Sequence, residues 1–195
     1  KDYCLPCLAV YDDQEEKYDF INDAFRLVGY LNSPDTVFLN SGESIDFRYE
    51  LKDVRGNVLV QKSLSFSADN FISEHDYTIN DRHLDYANSL ELVWAGGLRP
   101  SEKRVDEDVQ YGSGIISRAG EIEDMQTKGA DKIVDRAVYN GQTEWAAVRS
   151  KYFISALLID GPGSFATISA ENIVLGDREQ TPLYRVSVGF PLDVS

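Results

Sequence analysis

The chain has 195 residues, enough for one domain with a core of its own, and 43% of them are apolar, including eleven Tyr and nine Phe. Its 19 basic side chains face 33 acidic ones, for a net charge of −14. That balance argues against nucleic acid or an anionic membrane surface as a direct partner, since both are polyanions.

No run of about 18 consecutive apolar residues occurs, so the sequence contains no transmembrane helix, and no signal peptide opens it. It begins with Lys1 rather than Met, as expected of a processed or excised fragment. The two cysteines, Cys4 and Cys7, form a C-x-x-C at the extreme N-terminus. A zinc site would need two further ligands, and His75 and His83 are the only histidines. A redox pair of the thioredoxin kind sits before a helix, and no helical pattern follows here. Incidental cysteines or a short-loop disulfide are expected instead.

Along the chain the dominant period is two. Phe25, Leu27, Gly29 and Leu31 alternate with Arg26, Val28 and Tyr30. Ile45, Phe47, Tyr49 and Leu51 alternate with Asp46, Arg48 and Glu50, the pattern of a half-buried antiparallel strand. Val54-Arg55-Gly56-Asn57 reads as a hairpin turn into a second strand, 58–66. Strands are then expected at 76–80 and 89–94, the latter stopped by Gly96-Gly97. Ser101–Tyr111 reads as a short helix with Ser101 as its cap. Residues 112–136 are polar with little alternation and read as a long loop. Asn140-Gly141, flanked by 137–139 and 143–148, is the strongest short hairpin signal in the chain. Further strands are expected at 152–159, 164–169, 172–175 and 183–188, with Gly161-Pro162-Gly163 as a turn. The sum is a single all-β, mainly antiparallel domain over 1–195, a sandwich or barrel with a short helix or two.

No catalytic constellation emerges. There is no G-x-S-x-G, and the Gly-rich segments lack the Lys and Ser/Thr of a phosphate loop. Asp106-Glu107-Asp108 lacks the alternation and terminal Glu of a calcium loop. His75 and His83 read as surface histidines. Trp94 and Trp145 suit either a sheet core or an aromatic-lined cleft. Neither a cofactor nor a metal is expected.

Four blocks, in order, carry a resemblance. The strand pair around GNVLVQKSLSF is followed by SEHDYTINDRH, with Asp76-Tyr77; then comes WAGGLRPSEKRVDEDVQY, with Gly97-Leu98. NGQTEWAAVRSKYFISALLI follows, with Gly141, Trp145, Lys151, Tyr152 and Phe153; LYRVSVGFPLDV closes the series. Over roughly residues 45–195 the chain resembles the periplasmic domain of YidC-type membrane protein insertases. The resemblance implies a β-super-sandwich of the galactose-mutarotase-like type, placed between the first two membrane helices of an inner-membrane protein and facing the periplasm. The acidic outer charge is consistent with the excess of basic residues in cytoplasmic loops. It implies a non-catalytic role in inserting and folding membrane proteins, alone or with the Sec translocon. Sec accessory subunits and nascent membrane proteins would be the partners. Trp94, Trp145, Tyr152 and Phe153 are the expected lining of a cleft or strand edge that takes an extended segment. A carbohydrate-binding or mutarotase-like domain is the alternative. It would bring His75 or His83 and a carboxylate together in an aromatic-walled pocket.

Overall fold

The computed structural model describes residues 5–29, 36–79, 87–98, 110–127, 134–175 and 179–192. The first strands are β1 (Cys7–Asp12), β2 (Lys17–Asp19), β3 (Arg26–Leu27), β4 (Ser44–Lys52), β5 (Val58–Ser67) and β6 (Ser73–Ile79). They are followed by β7 (Ser89–Trp94), β8 (Ser113–Arg118), β9 (Glu121–Met125), β10 (Val134–Arg149), β11 (Ile154–Leu175) and β12 (Glu179–Pro191). Every pairing is antiparallel, so the expected all-β class holds. Of the expected helix, 101–109 lie outside the described residues, and Gln110 and Tyr111 are helical.

The strands fall into two compact units, Lys1–Asn22 with Tyr86–Ser195, and Asp23–Asp85. The smaller unit is a four-stranded meander in the order β3-β4-β5-β6. The alternation read from the sequence puts Ile45, Phe47, Tyr49 and Leu51 on one face, opposite Phe66, Leu64, Lys62 and Val60. Its central turn forms where expected. The Asp53 carboxylate accepts the Arg55 and Asn57 amides, each at 2.8 Å, and so holds the reversal that Gly56 permits. The 25–31 alternation yields only the two residues of β3, with 30–35 outside the described residues.

The larger unit is one eight-stranded sheet in the order β2-β1-β7-β12-β11-β10-β8-β9. Its spine is β10 and β11, of 16 and 22 residues. The register between them breaks between Asn140 and Thr143, and again between Thr143 and Trp145. There the pairing of Thr143 with Gly163 gives way to Trp145 with Leu158. These bulges bend the long hairpin so that its distal half, with β8, folds back over β11 and β12. Ile116, Ala146 and Val148 from the distal half then share a buried core with Ala166, Ile168, Ala170, Tyr184, Val186 and Val188. The unit is thus a sandwich made from a single sheet. The layers meet tightly at Gly114, where a Cβ would lie 2.6 Å from Ile168 Cγ2.

Three sequence-based expectations are corrected by this arrangement. Asn140-Gly141 is not a hairpin turn but part of the corner inside β10, with Gly141 at φ +121°. A glycine supplies positive φ equally to a turn or a bulge, and the local pattern does not separate them. Gly161-Pro162-Gly163 lies within β11, and the strands expected at 152–159, 164–169 and 172–175 are one strand that begins at Ile154, with Tyr152 and Phe153 in the loop before it. The loop expected over 112–136 contains the β8–β9 hairpin, turning at Ala119 and Gly120 with φ +51° and +80°. β8 is buried along both faces, which removes the alternation that marks a half-exposed strand.

On the other face of the sheet lies a buried polar network. Glu91, wholly buried, accepts from Ser89 Oγ (2.9 Å), Ser187 Oγ (2.6 Å), Tyr18 OH (3.1 Å) and the Arg136 guanidinium (2.7 Å). Arg136 Nε donates to Tyr18 OH at 2.9 Å, and its guanidinium carbon lies 3.8 Å from the centre of the Tyr11 ring. Burial, then the Glu91 charge, pushes the Tyr18 hydroxyl up to about 12, against the opposing pull of Arg136. The network links β2, β7, β10 and β12, four strands far apart in sequence.

Candidate functional site

The family-motif residues concentrate on the β10–β11 hairpin. Its loop is closed by Ser150, whose amide donates to the Phe153 carbonyl at 2.8 Å, while the Phe153 amide donates back to Ser150 Oγ at 3.2 Å. Lys151, Tyr152 and Phe153 therefore form the tip. The Lys151 ammonium lies 4.7 Å from the Tyr152 ring centre and 6.0 Å from that of Tyr111. Tyr152, Phe153, Ile154 and Leu158 are exposed, at 54%, 58%, 58% and 69%. That is a continuous apolar strip on a chain rich in acids.

Trp145 lies between Ser117 of β8 and Leu158 of β11, half-buried on the outer face. Trp94 belongs elsewhere: it packs against the core, and its indole N–H donates to the Gly97 carbonyl at 3.0 Å. Gly97 has φ +58°, and a Cβ there would lie 2.3 Å from Leu183 Cδ1, so both backbone and packing require glycine. Leu98 meets Val148, Arg149, Ser150 and Tyr184 around a small cavity of about 20 Å³, the size of one water. Tyr184 OH there accepts the Thr127 amide at 2.8 Å. The structure thus gathers Gly97-Leu98 with Val148, Arg149 and Ser150 at the start of the hairpin loop, and carries Trp145, Tyr152 and Phe153 on the hairpin. Trp94 is separate from those three.

Groups considered for other chemistry sit on other elements or outside the described residues. His75 is on β6, its Nε2 2.8 Å from Ser73 Oγ, and Nδ1 has no hydrogen-bond partner among the described residues. Burial, then the nearby Lys62 ammonium, lowers its pKa to about 4, with Asp76 opposing. The sheet of the smaller unit also bears an open groove of about 370 Å³, lined by Asp46, Glu74, Phe66 and three serines. Cys7 is disulfide-bonded. Cys4, His83 and Asp106-Glu107-Asp108 lie outside the described residues. Among the described residues no three His, Cys, Asp or Glu side chains cluster as a metal site would require, and no helix is long and apolar enough to cross a membrane. Sequence reasoning missed the Glu91 network, because Glu91 within SLELVW carries the mark of an outward polar position.

No family model matches the chain, and no solved structure does. Curated relatives do. The chain is 30% identical over 133 residues to the membrane protein insertase YidC of Chlorobium phaeovibrioides, covering 67% of this chain and 22% of the relative. It is 27% identical over 129 residues to the YidC of Chlorobaculum tepidum, covering 66% of this chain and 22% of the relative. It is 28% identical over 158 residues to that of Chlorobaculum parvum, covering 72% and 27%. Eight curated proteins of that name match, and the chain spans roughly a fifth to a quarter of the length of these three. With its all-β sandwich and the ordered motifs from Gly97 to Phe153, the chain is a domain of the YidC-type insertase family.

Proposed function

We propose that this chain is a non-catalytic, periplasmic domain of an inner-membrane protein insertase, and that it works by contacting other proteins. The observation that carries the reading is the consistent match to membrane protein insertases over a domain-sized segment. The exposed apolar tip of the β10–β11 hairpin supports a contact role, because large apolar side chains in water favour a protein partner. In this reading Sec accessory subunits and nascent membrane proteins are the partners, and Tyr152, Phe153 and Trp145 belong to the surface that meets them.

Site-specific photo-crosslinking in the full-length protein tests this, with probes at Tyr152, Trp145 and Tyr111. The expected result is adducts with Sec subunits or nascent membrane proteins, identified by mass spectrometry. Absence of protein adducts from all three probes sinks the contact role.

A further inference from the structure

The N-terminal half of β11 is an edge strand. Ile154–Leu158 pair with Arg149–Trp145 of β10, whereas β12 joins β11 only from Phe165 onward. Among the described residues no strand occupies the other side of Ile154–Gly161. The Ser150–Phe153 backbone bond sets the phase of the ladder. Antiparallel pairs alternate between bonded and non-bonded, so Ser155 and Leu157 bond to β10. Ile154, Ala156 and Leu158 therefore turn their N–H and C=O groups outward, away from β10.

Natural edge strands are guarded by charge, and the opposite edge of this layer follows that rule: β9 carries Glu121, Glu123 and Asp124. Ile154–Ile159 carries no charged side chain, and Asp160 is the single charge on this edge before Gly161. We propose that this edge is a strand-addition site for an extended, uncharged apolar segment of another polypeptide. Outward backbone groups at alternate residues are matched by another strand, and exposed Ile154 and Leu158 favour apolar side chains at alternate positions of that strand. A second copy of this chain is disfavoured as occupant, because each copy carries a net charge of −14. The proposal rests on the reading of the domain as one that contacts proteins, and names the chemistry and the mode of that contact.

The test is fluorescence anisotropy of the purified chain with a fluorescein-labelled synthetic nonapeptide of alternating Val and Thr, capped by Lys at both ends. Ala156→Pro removes an outward N–H without removing a bond to β10, and proline is tolerated on edge strands. Leu158→Lys guards the edge by charge. Both variants are expected to weaken peptide binding about tenfold or more while melting as the parent does. Val174→Lys, exposed on the distant end of β11, is expected to bind as the parent. If Ala156→Pro melts early, Leu158→Lys carries the comparison. No peptide binding by the parent, or equal binding by parent and folded variants, overturns the proposal. So does a parent dimer, seen in sedimentation, that Leu158→Lys dissociates. Peptide binding at this edge without crosslinks in the full-length protein would sink the contact role in the cell and leave the edge chemistry standing; crosslinks without peptide binding would do the reverse.

Discussion

Arg136 donates to the fully buried carboxylate of Glu91 at 2.7 Å, joining β10 to β7 across β11 and β12. The Tyr11 ring stacks on the same guanidinium, and Tyr18 bonds to both charged partners. The carboxylate receives four donors, so its burial is compensated by bonds rather than by solvent.

Removing one member should therefore cost far more than the pair contributes. Glu91→Ala leaves Arg136, Tyr18, Ser89 and Ser187 without their acceptor, and is expected to destabilise the chain by about 3–5 kcal/mol. The double replacement Glu91→Leu with Arg136→Met, which removes both charges together, is expected to recover most of that loss. Urea denaturation of the two variants checks this; equal loss in both would refute the compensation argument.

Gly97 and Gly114 are expected to tolerate no Cβ. Gly97→Ala strains a left-handed backbone and meets Leu183, while Gly114→Ala meets Ile168. Each should destabilise by about 1–3 kcal/mol, read from thermal melts. Glycine-to-alanine at Gly42, which also has positive φ but nothing within 4 Å, isolates the backbone part of the cost.

His75 gives the smaller unit a pH dependence. Its folded-state pKa of about 4 lies below the ordinary value of 6.5, so between those limits the unfolded chain binds more protons. Stability is complete above pH 6.5 and falls as pH drops toward 4. The side chain is partly solvated, so the loss is discounted to about 1–2 kcal/mol. His75→Gln should flatten that part of the profile; an unchanged slope would place the titration elsewhere.

Tyr152→Ser and Phe153→Ser should leave stability within about 0.5 kcal/mol, since both side chains are exposed. In the full-length protein the same changes are expected to reduce crosslinking from Trp145. A large fall in melting temperature would show that the tip is packed rather than presented.

Local chemistry made the smaller unit legible in advance. The 45–51 alternation and the Asp53–Asn57 turn are set by neighbours within a few residues, so their pattern survives in the linear chain. The ordered motifs from Gly97 to Phe153 likewise pointed to the family. The reading of β8, β10 and β11 failed where burial on both faces erased alternation, and where a glycine serves a bulge as well as a turn. Asn140-Gly141 specifies positive φ, but whether the chain reverses or bends depends on the partner strand that β11 supplies. Glu91 is polar at an alternating position, and its burial follows only from Arg136, 45 residues away in sequence. The sequence by itself determined the strand-rich class, the acidic surface and the apolar character of residues 152–159, because those depend on residue type and near neighbours; that Tyr152 and Phe153 stand at a hairpin tip came from the structure. The tertiary structure alone decided the folded-over sandwich, the buried ion pair and the uncharged edge of β11, because each depends on which strands lie beside one another.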